Sequence, residues 1–263
     1  MAYDILGNIA IIKPESFGKK RTKKKKINQA NELLKKPGVR TVLEQASNVK
    51  GRLRTIKTKH VKGVKNLIAE YKENNCVFKF NVENCYFSPR LSNERKLIAG
   101  KIKSSDKVLV MFAGVGVYPI VIYKNSRPEK IIGIEIGRDC CRWFKENLKL
   151  NKIPDNRVEA IQGDVKKKIK KEFSKKYGKF DIVVMPRPNL KETFLEQGLF
   201  VSKKGTKIFY YGFSKDDEVN NLIKEINKEV KKLKRKIKIE KIVAAGDIAP
   251  FKHRYRIEIN VLK

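Results

Sequence analysis

The sequence predicts an α/β protein: a doubly wound, mostly parallel Rossmann-like sheet with a small α/β module in front of it. Two observations carry the sheet. Beyond residue 104, apolar strand-like runs alternate with helical segments, the pattern of βα units whose crossovers impose a parallel sheet. The first run breaks at the glycine turn Ala113-Gly114-Val115-Gly116, and the second, residues 131–136, carries Glu135 near its end. A third observation, the short apolar stretch 5–12 interrupted by Gly7-Asn8, predicts the separate front module. The 263 residues suit this division, since a catalytic domain of roughly 150–180 residues leaves room for an appendage.

Taken in order, residues 5–12 read as a hairpin or strand pair, and 19–26 as a basic run without an apolar face, either a solvated linker or an arm that tracks phosphates. Residues 27–34 favour a helix that ends at Lys36-Pro37-Gly38, and 39–45 a further turn or short helix. The alternation over 76–82 fits a half-buried strand. The chain then turns at Pro89, and residues 91–100 form a helix. In the large unit, strands are expected at 107–112, 131–136, 158–164, 180–185 and 207–213. Cys141, Phe144 and Leu148 share one helix face after the second, and Trp143 packs or lies at that helix's flank. A basic helix over 218–235 and a closing strand pair, 237–243 with 255–262, complete the chain. The expected division is 1–45 for the front module with its basic linker, 46–103 for an intermediate segment, and 104–263 for the Rossmann-like domain.

Lys and Arg number 62 against 28 Asp and Glu, a formal charge of +34, which points to a polyanionic partner unless a Lys-rich background inflates the count. No long apolar span or basic amphipathic helix suits a membrane, so nucleic acid is the favoured partner. The N-terminus lacks the features of a signal peptide, and a cytoplasmic protein is expected. Cys76, Cys85, Cys140 and Cys141 form no CxxC pair and there are two histidines, so reduced thiols and no metal are expected.

Phe112-Ala113-Gly114-Val115-Gly116 lies where a doubly wound sheet brings its backbone close to a nucleotide. Glu135, about 20 residues on, is placed to accept hydrogen bonds from a ribose diol, and Asp164 to meet an adenine. The third glycine of a pyrophosphate-binding turn is missing, so S-adenosyl-L-methionine (AdoMet) fits better than a dinucleotide.

In order and spacing, Tyr3-Asp4-Ile5-Leu6-Gly7-Asn8, Asn48-Val49-Lys50-Gly51-Arg52-Leu53-Arg54, Tyr86-Phe87-Ser88-Pro89-Arg90-Leu91-Ser92-Asn93-Glu94-Arg95 and Met111-Phe112-Ala113-Gly114-Val115-Gly116 resemble one family. It is the archaeal and eukaryotic type of tRNA (guanine37-N1)-methyltransferase, with its wyosine-pathway relatives. Tyr86-Phe87-Ser88-Pro89-Arg90-Leu91 is the most specific segment. The resemblance implies a class I methyltransferase sheet, AdoMet as methyl donor, and the anticodon loop of tRNA, position 37, as partner of a monomeric enzyme. It also implies that Glu94 is the general base for N1 of guanine, that Arg54 stabilises charge on O6, and that Tyr86 borders the methionine end of AdoMet. On the residues alone the preferred readings are different: Glu94 an ion-pair partner of Arg95 or Arg90, Arg54 a phosphate contact and Tyr86 a core residue.

Two departures stand out. Val110 replaces the family's Asp before the glycine turn, and Pro186-Arg187-Pro188 replaces Asn-Leu-Pro, removing an amide that orients the target base. Arg187 is then a candidate for contacting the base, its phosphate or a cofactor carboxylate, and Pro186 for bordering the cofactor. Three reactions remain open, ranked as N1 methylation of guanine, C7 methylation of a wyosine precursor, and aminocarboxypropyl transfer. A catalytically inactive tRNA binder is the alternative from a different class.

Overall fold

The computed structural model describes residues 2–13, 22–47 and 51–263. Within the basic run, 19–21 lie outside the described residues, as do Asn48-Val49-Lys50 of the family-like motif.

The front module is a sheet in the order β1 (Tyr3–Leu6), β2 (Ile9–Ile12), β3 (Thr41–Gln45) and β4 (Thr58–Gly63), with α1 (Lys23–Leu34) linking β2 to β3. The Gly7-Asn8 hairpin forms as expected, with Leu6 opposite Ile9. Gly7 has φ +61°, and a Cβ there would lie 1.7 Å from the Glu70 carbonyl oxygen, so the turn requires glycine. Two expectations are corrected. The helix begins at Lys23, capped by Thr22, whose hydroxyl accepts from the Lys25 N–H at 3.4 Å. Lys23 to Lys26 are therefore helical, and their helix is anchored by Ala30 and Leu33 packing on Ala10, Ile12 and Val42. The expected turn or helix at 39–45 is instead strand β3, which lies parallel to β2 and buries Thr41, Val42 and Leu43. β-branched residues with partners on both sides favour the pleated surface over a helix. The fourth strand of this sheet, β4, comes from beyond residue 45, pairing antiparallel with β3.

A hairpin of β5 (Ile68–Glu73) and β6 (Cys76–Asn81) bridges to the large unit. Asn8 ties it to the front turn by accepting from the Glu70 N–H at 2.8 Å. After it come a short 3-10 turn at Pro89–Leu91 and α2 (Ser92–Ala99). The large unit then runs β7 (Lys107–Met111), α3 (Val117–Ser126), β8 (Lys130–Glu135), α4 (Arg138–Leu150), β9 (Val158–Gln162), α5 (Val165–Lys168), α6 (Lys171–Tyr177) and β10 (Phe180–Met185). It ends with α7 (Leu195–Phe200), β11 (Ser202–Lys215), α8 (Val219–Lys232), β12 (Ile237–Ala249) and β13 (Lys252–Val261).

Its seven strands are ordered β12-β13-β11-β10-β7-β8-β9. All neighbours are parallel except the two pairs that involve β13. The strand order reverses between β7 and β10, so the crevice above their C-terminal ends is where this architecture binds a ligand. The β6 edge is closed by α4: Asn151 and Asn147 accept from the Val77 and Lys79 N–H groups at 2.9 and 2.8 Å. Asn147 also donates to the Val115 carbonyl at 3.0 Å, fixing the glycine turn to the hairpin. Phe144 of α4 sits against Gly116 and Gly133, where added Cβ atoms would lie 2.1 and 2.5 Å from its ring. The four cysteines are free and buried, and burial pushes the Cys76 thiol up to about 11. Among the described residues no helix is long and apolar enough to cross a membrane.

Candidate active site above the glycine turn

A cleft of about 1050 Å³, open mouth included, lies over the β7–α3 turn. Its floor is Phe112, Ala113, Gly114 and Val115, and its walls include Arg54, Tyr86, Glu135, Asp164 and Pro186. Sequence reading named each of these. Gly116 sits behind them as the N-cap of α3, left-handed at φ +87°. Three of the nine non-glycine residues with left-handed backbone among the described residues, Arg54 (φ 55°), Phe112 (φ 59°) and Phe194 (φ 60°), line this cleft. Phe112 and Phe194 meet edge to face at 4.9 Å.

Glu135 is buried and its oxygens accept from the Gly114 and Gly137 N–H groups at 2.8 and 2.6 Å. Burial raises its carboxyl above the ordinary 4.5, against the pull of those N–H groups. Asp164 accepts from the Lys166 N–H at 2.9 Å, capping α5, and pairs with Arg52 at 3.1 Å. The segment 52–54 is thereby strapped over the cleft. The Arg54 guanidinium lies 3.6 Å from the centre of the Tyr86 ring, the close face-on geometry of a cation–π contact.

The remaining two predicted residues do not line the cleft. Glu94 is buried behind it: Arg256 Nη1 donates to both its oxygens at 2.6 Å and the Tyr211 hydroxyl donates to Oε1 at 2.6 Å. It pairs with neither Arg95, which forms a buried ion pair with Glu73, nor Arg90, which meets Asp4 at 3.1 Å. Arg187 is not among the residues that line the cleft. Its Nη1 donates to the carbonyls of Leu190 and Glu192 at 2.8 and 3.0 Å, and its guanidinium lies over Tyr210 at 5.2 Å. The chain just after Pro188 folds back onto this guanidinium, which satisfies its carbonyls. Val110 is fully buried between Val184 and Gly133, so the apolar residue at that position is part of the core.

Sequence reading missed Arg52, Tyr118 and Arg254, all in the cleft wall. Arg254 is 5% exposed, stacks over Phe213 at 5.4 Å, and its Nε has no hydrogen-bond partner among the described residues. Among the described residues no cluster of His, Cys, Asp and Glu is arranged to hold a metal.

The sheet order, the glycine turn at the switch point and the acid at the end of the next strand define a class I methyltransferase fold. Residues 69–244 match the model of the TRM5/TYW2 methyltransferase domain, and the chain belongs to this family. The Taw22 tRNA (guanine(37)-N(1))/4-demethylwyosine(37)-methyltransferase of Nanoarchaeum equitans is 32% identical over 308 aligned positions that span the whole of both chains. Trm5b of Pyrococcus abyssi, a tRNA (guanine(37)-N(1))-methyltransferase, is 32% identical over 82% of this chain, which spans 61% of that relative's length. Its crystal structure superposes with a TM-score of 0.83 at 27% identity, covering 100% of this chain and 75% of the other. Trm5 of Methanocaldococcus jannaschii in complex with adenosine gives 0.82 at 25% identity, with 100% and 74% covered.

Proposed function

We propose that this protein transfers the methyl group of AdoMet to N1 of guanine at position 37 of tRNA. The observation that carries the reading is Arg54, held on the Tyr86 ring at 3.6 Å in the wall of a cleft whose floor is the glycine turn. A guanidinium fixed there meets negative charge growing on O6 without having to reorganise.

The cleft fits AdoMet in its donor set. Glu135 keeps unused acceptor capacity beside the turn and suits a ribose diol, Asp164 suits the adenine, and the apolar faces of Phe112 and Phe194 suit its ring. Bound there, the sulfonium supplies an electrophilic methyl group. The Arg254 guanidinium, buried with an unpartnered Nε, offers a seat for the methionine carboxylate. Glu94 is the terminal proton acceptor: loss of the N1 proton frees the lone pair that attacks the methyl carbon. The front sheet and its Lys-rich α1 serve as the tRNA-gripping module, residues 46–103 carry Arg54 and Glu94, and 104–263 hold the cofactor. The charge of +34, the adenosine complex of the Methanocaldococcus relative and the tRNA-modifying names of the relatives all support this assignment. The target must leave its stack to enter the cleft.

Methylation of a wyosine precursor is the second reading. It is favoured by the prolines at 186 and 188, which place no amide side chain in the cleft to orient guanine, and by the double name of the Nanoarchaeum relative. The test is incubation with AdoMet labelled in the methyl or the carboxyl group and tRNA transcripts carrying G37 or A37, followed by nucleoside mass spectrometry. Methyl label on G37 as 1-methylguanosine, lost in Arg54→Ala and Glu94→Gln, is the expected result. Label that enters only tRNA bearing the precursor selects the second reading, and carboxyl label in RNA selects aminocarboxypropyl transfer. No transfer to any of these substrates leaves an RNA binder without chemistry.

A further inference from the structure

Glu94 presents a problem of access. It is 7% exposed, does not line the cleft, and both its oxygens are held by Arg256 Nη1 at 2.6 Å. Reaching a base in the cleft directly would require the carboxylate to abandon this buried ion pair. A hydrogen-bonded path already exists. The Tyr211 hydroxyl donates to Glu94 Oε1 at 2.6 Å, the Tyr118 hydroxyl donates to Tyr211 Oη at 3.2 Å, and Tyr118 belongs to the cleft wall.

We propose that Glu94 takes the proton of the target base through a two-tyrosine relay, Tyr118 to Tyr211 to Glu94, without touching the base. This rests on the reading of Glu94 as proton acceptor given above. The relay is built from three elements that the fold brings together at the switch point: α3 supplies Tyr118 in its first turn after the glycines, β11 supplies Tyr211, and α2 supplies Glu94. Arg256 lies directly opposite Tyr211 on β13, so the carboxylate, its counter-ion and the last hydroxyl are fixed by one strand pair. Tyr118 and Tyr211 are 5% and 0% exposed, which leaves the path dry. Burial raises both phenols above their ordinary range, so each hydroxyl keeps its proton at neutral pH and can accept one as it gives one up.

The N1–H bond of the base breaks and its proton goes to Tyr118 Oη. The Tyr118 proton passes to Tyr211 Oη, and the Tyr211 proton to Glu94 Oε1. The N1 electron pair forms the new N–C bond to the methyl carbon, and the C–S bond breaks with its pair remaining on sulfur. Both tyrosines end neutral, as they began, and Glu94 ends protonated. Arg256 retains Glu258 at 3.0 Å as counter-ion while Glu94 is neutral. The Tyr118–Tyr211 contact is long for a hydroxyl pair, and the arrival of the base is expected to tighten it.

The test is single-turnover methyl transfer to tRNA at saturating AdoMet, for the unmodified protein, Tyr118→Phe, Tyr211→Phe and Glu94→Gln, with AdoMet and tRNA affinities and Tm measured for each. Both phenylalanine variants are expected to lose about 100-fold or more in rate with affinities unchanged, and Tyr211→Phe/Glu94→Gln to be no slower than the slower single variant. Rates within threefold of normal for both phenylalanine variants, with Glu94→Gln inactive, overturn the relay and leave Glu94 as base. Full activity of Glu94→Gln overturns the assignment of Glu94 itself. A readout that needs no variant is the proton inventory in H2O/D2O mixtures. The relay predicts a curved dependence of rate on deuterium fraction from several protons in flight, and a linear dependence overturns it.

Discussion

Replacing Arg256 by Met is expected to destabilise the protein far more than an exposed arginine would. Arg256 is 4% exposed and Glu94 7%, and one nitrogen of the guanidinium donates to both carboxylate oxygens at 2.6 Å. Truncation leaves Glu94 buried with the Tyr211 hydroxyl as its remaining donor among these contacts. Removing one partner of such a pair costs roughly 3–5 kcal/mol, because the stranded charge keeps its desolvation penalty and loses its compensation. The double variant Glu94→Met/Arg256→Met removes both charges and is expected to regain about 2 kcal/mol or more, so the two substitutions couple strongly. Urea unfolding followed by the fluorescence of Trp143, the single tryptophan, reads both numbers. A cost below about 1 kcal/mol for Arg256→Met, or a double variant as unstable as the sum of the singles, would show that the pair is solvated and that Glu94 is free to move into the cleft.

Other perturbations separate the remaining roles. Arg54→Lys is expected to lose methyl transfer nearly as far as Arg54→Ala, about 100-fold in single-turnover rate, because an ammonium does not reproduce a planar cation stacked on Tyr86; recovery of normal rate by lysine would refute the stacked geometry. Arg254→Gln should weaken AdoMet binding about tenfold in calorimetry yet leave methylthioadenosine, which lacks the carboxylate, unchanged; equal losses for both would remove Arg254 from that seat. Gly133→Ala places a Cβ 2.5 Å from the Phe144 ring and should cost about 1–3 kcal/mol, with part regained in Gly133→Ala/Phe144→Leu, as measured by urea unfolding. Glu135→Gln should abolish AdoMet binding, because its amide nitrogen faces one of the two backbone N–H groups that the carboxylate oxygens accept from. The carboxyl of Glu135 is raised above 4.5 in the folded protein, so its ionisation costs stability as pH rises from 4.5 through the raised value, a loss that Tm against pH should show for the unmodified protein and not for Glu135→Gln. The same loss in both proteins would remove Glu135 as its source.

The βα units were legible because buried parallel strands write themselves as apolar runs: Val108 to Met111 are all fully buried, and so are Val183 to Met185. The glycine turn and Glu135 followed from the same logic. β4 was not legible, since a strand reading Thr-Lys-His-Val-Lys-Gly with mostly exposed positions has neither apolar alternation nor a buried face to announce it. β3 was misread because its β-branched residues span too short a stretch to decide the matter alone, and its identity as a strand depends on neighbours on both sides, β2 and β4. The surroundings of Arg187 were not legible for a different reason: a cation between two prolines looks exposed, and its carbonyl partners at Leu190 and Glu192 come within reach only once the loop has folded.

The four buried arginines among the described residues explain how a chain with so much positive charge builds a selective site. Arg95 is neutralised by Glu73, Arg256 by Glu94 and Glu258, and Arg187 is spent on carbonyls of its own loop. A buried cation without such compensation is costly, and a fold keeps one where a ligand completes it. Arg187 and Arg254 both keep an Nε without a hydrogen-bond partner among the described residues, but of the two it is Arg254 that lines the cleft, on the same strand as Arg256 and stacked on Phe213. Phosphate attraction over the surface is a property of the whole charge of +34 and discriminates little. The cations with fixed surroundings at the cleft, Arg54 on Tyr86 and Arg254 on β13, are the ones able to offer charge at a defined place.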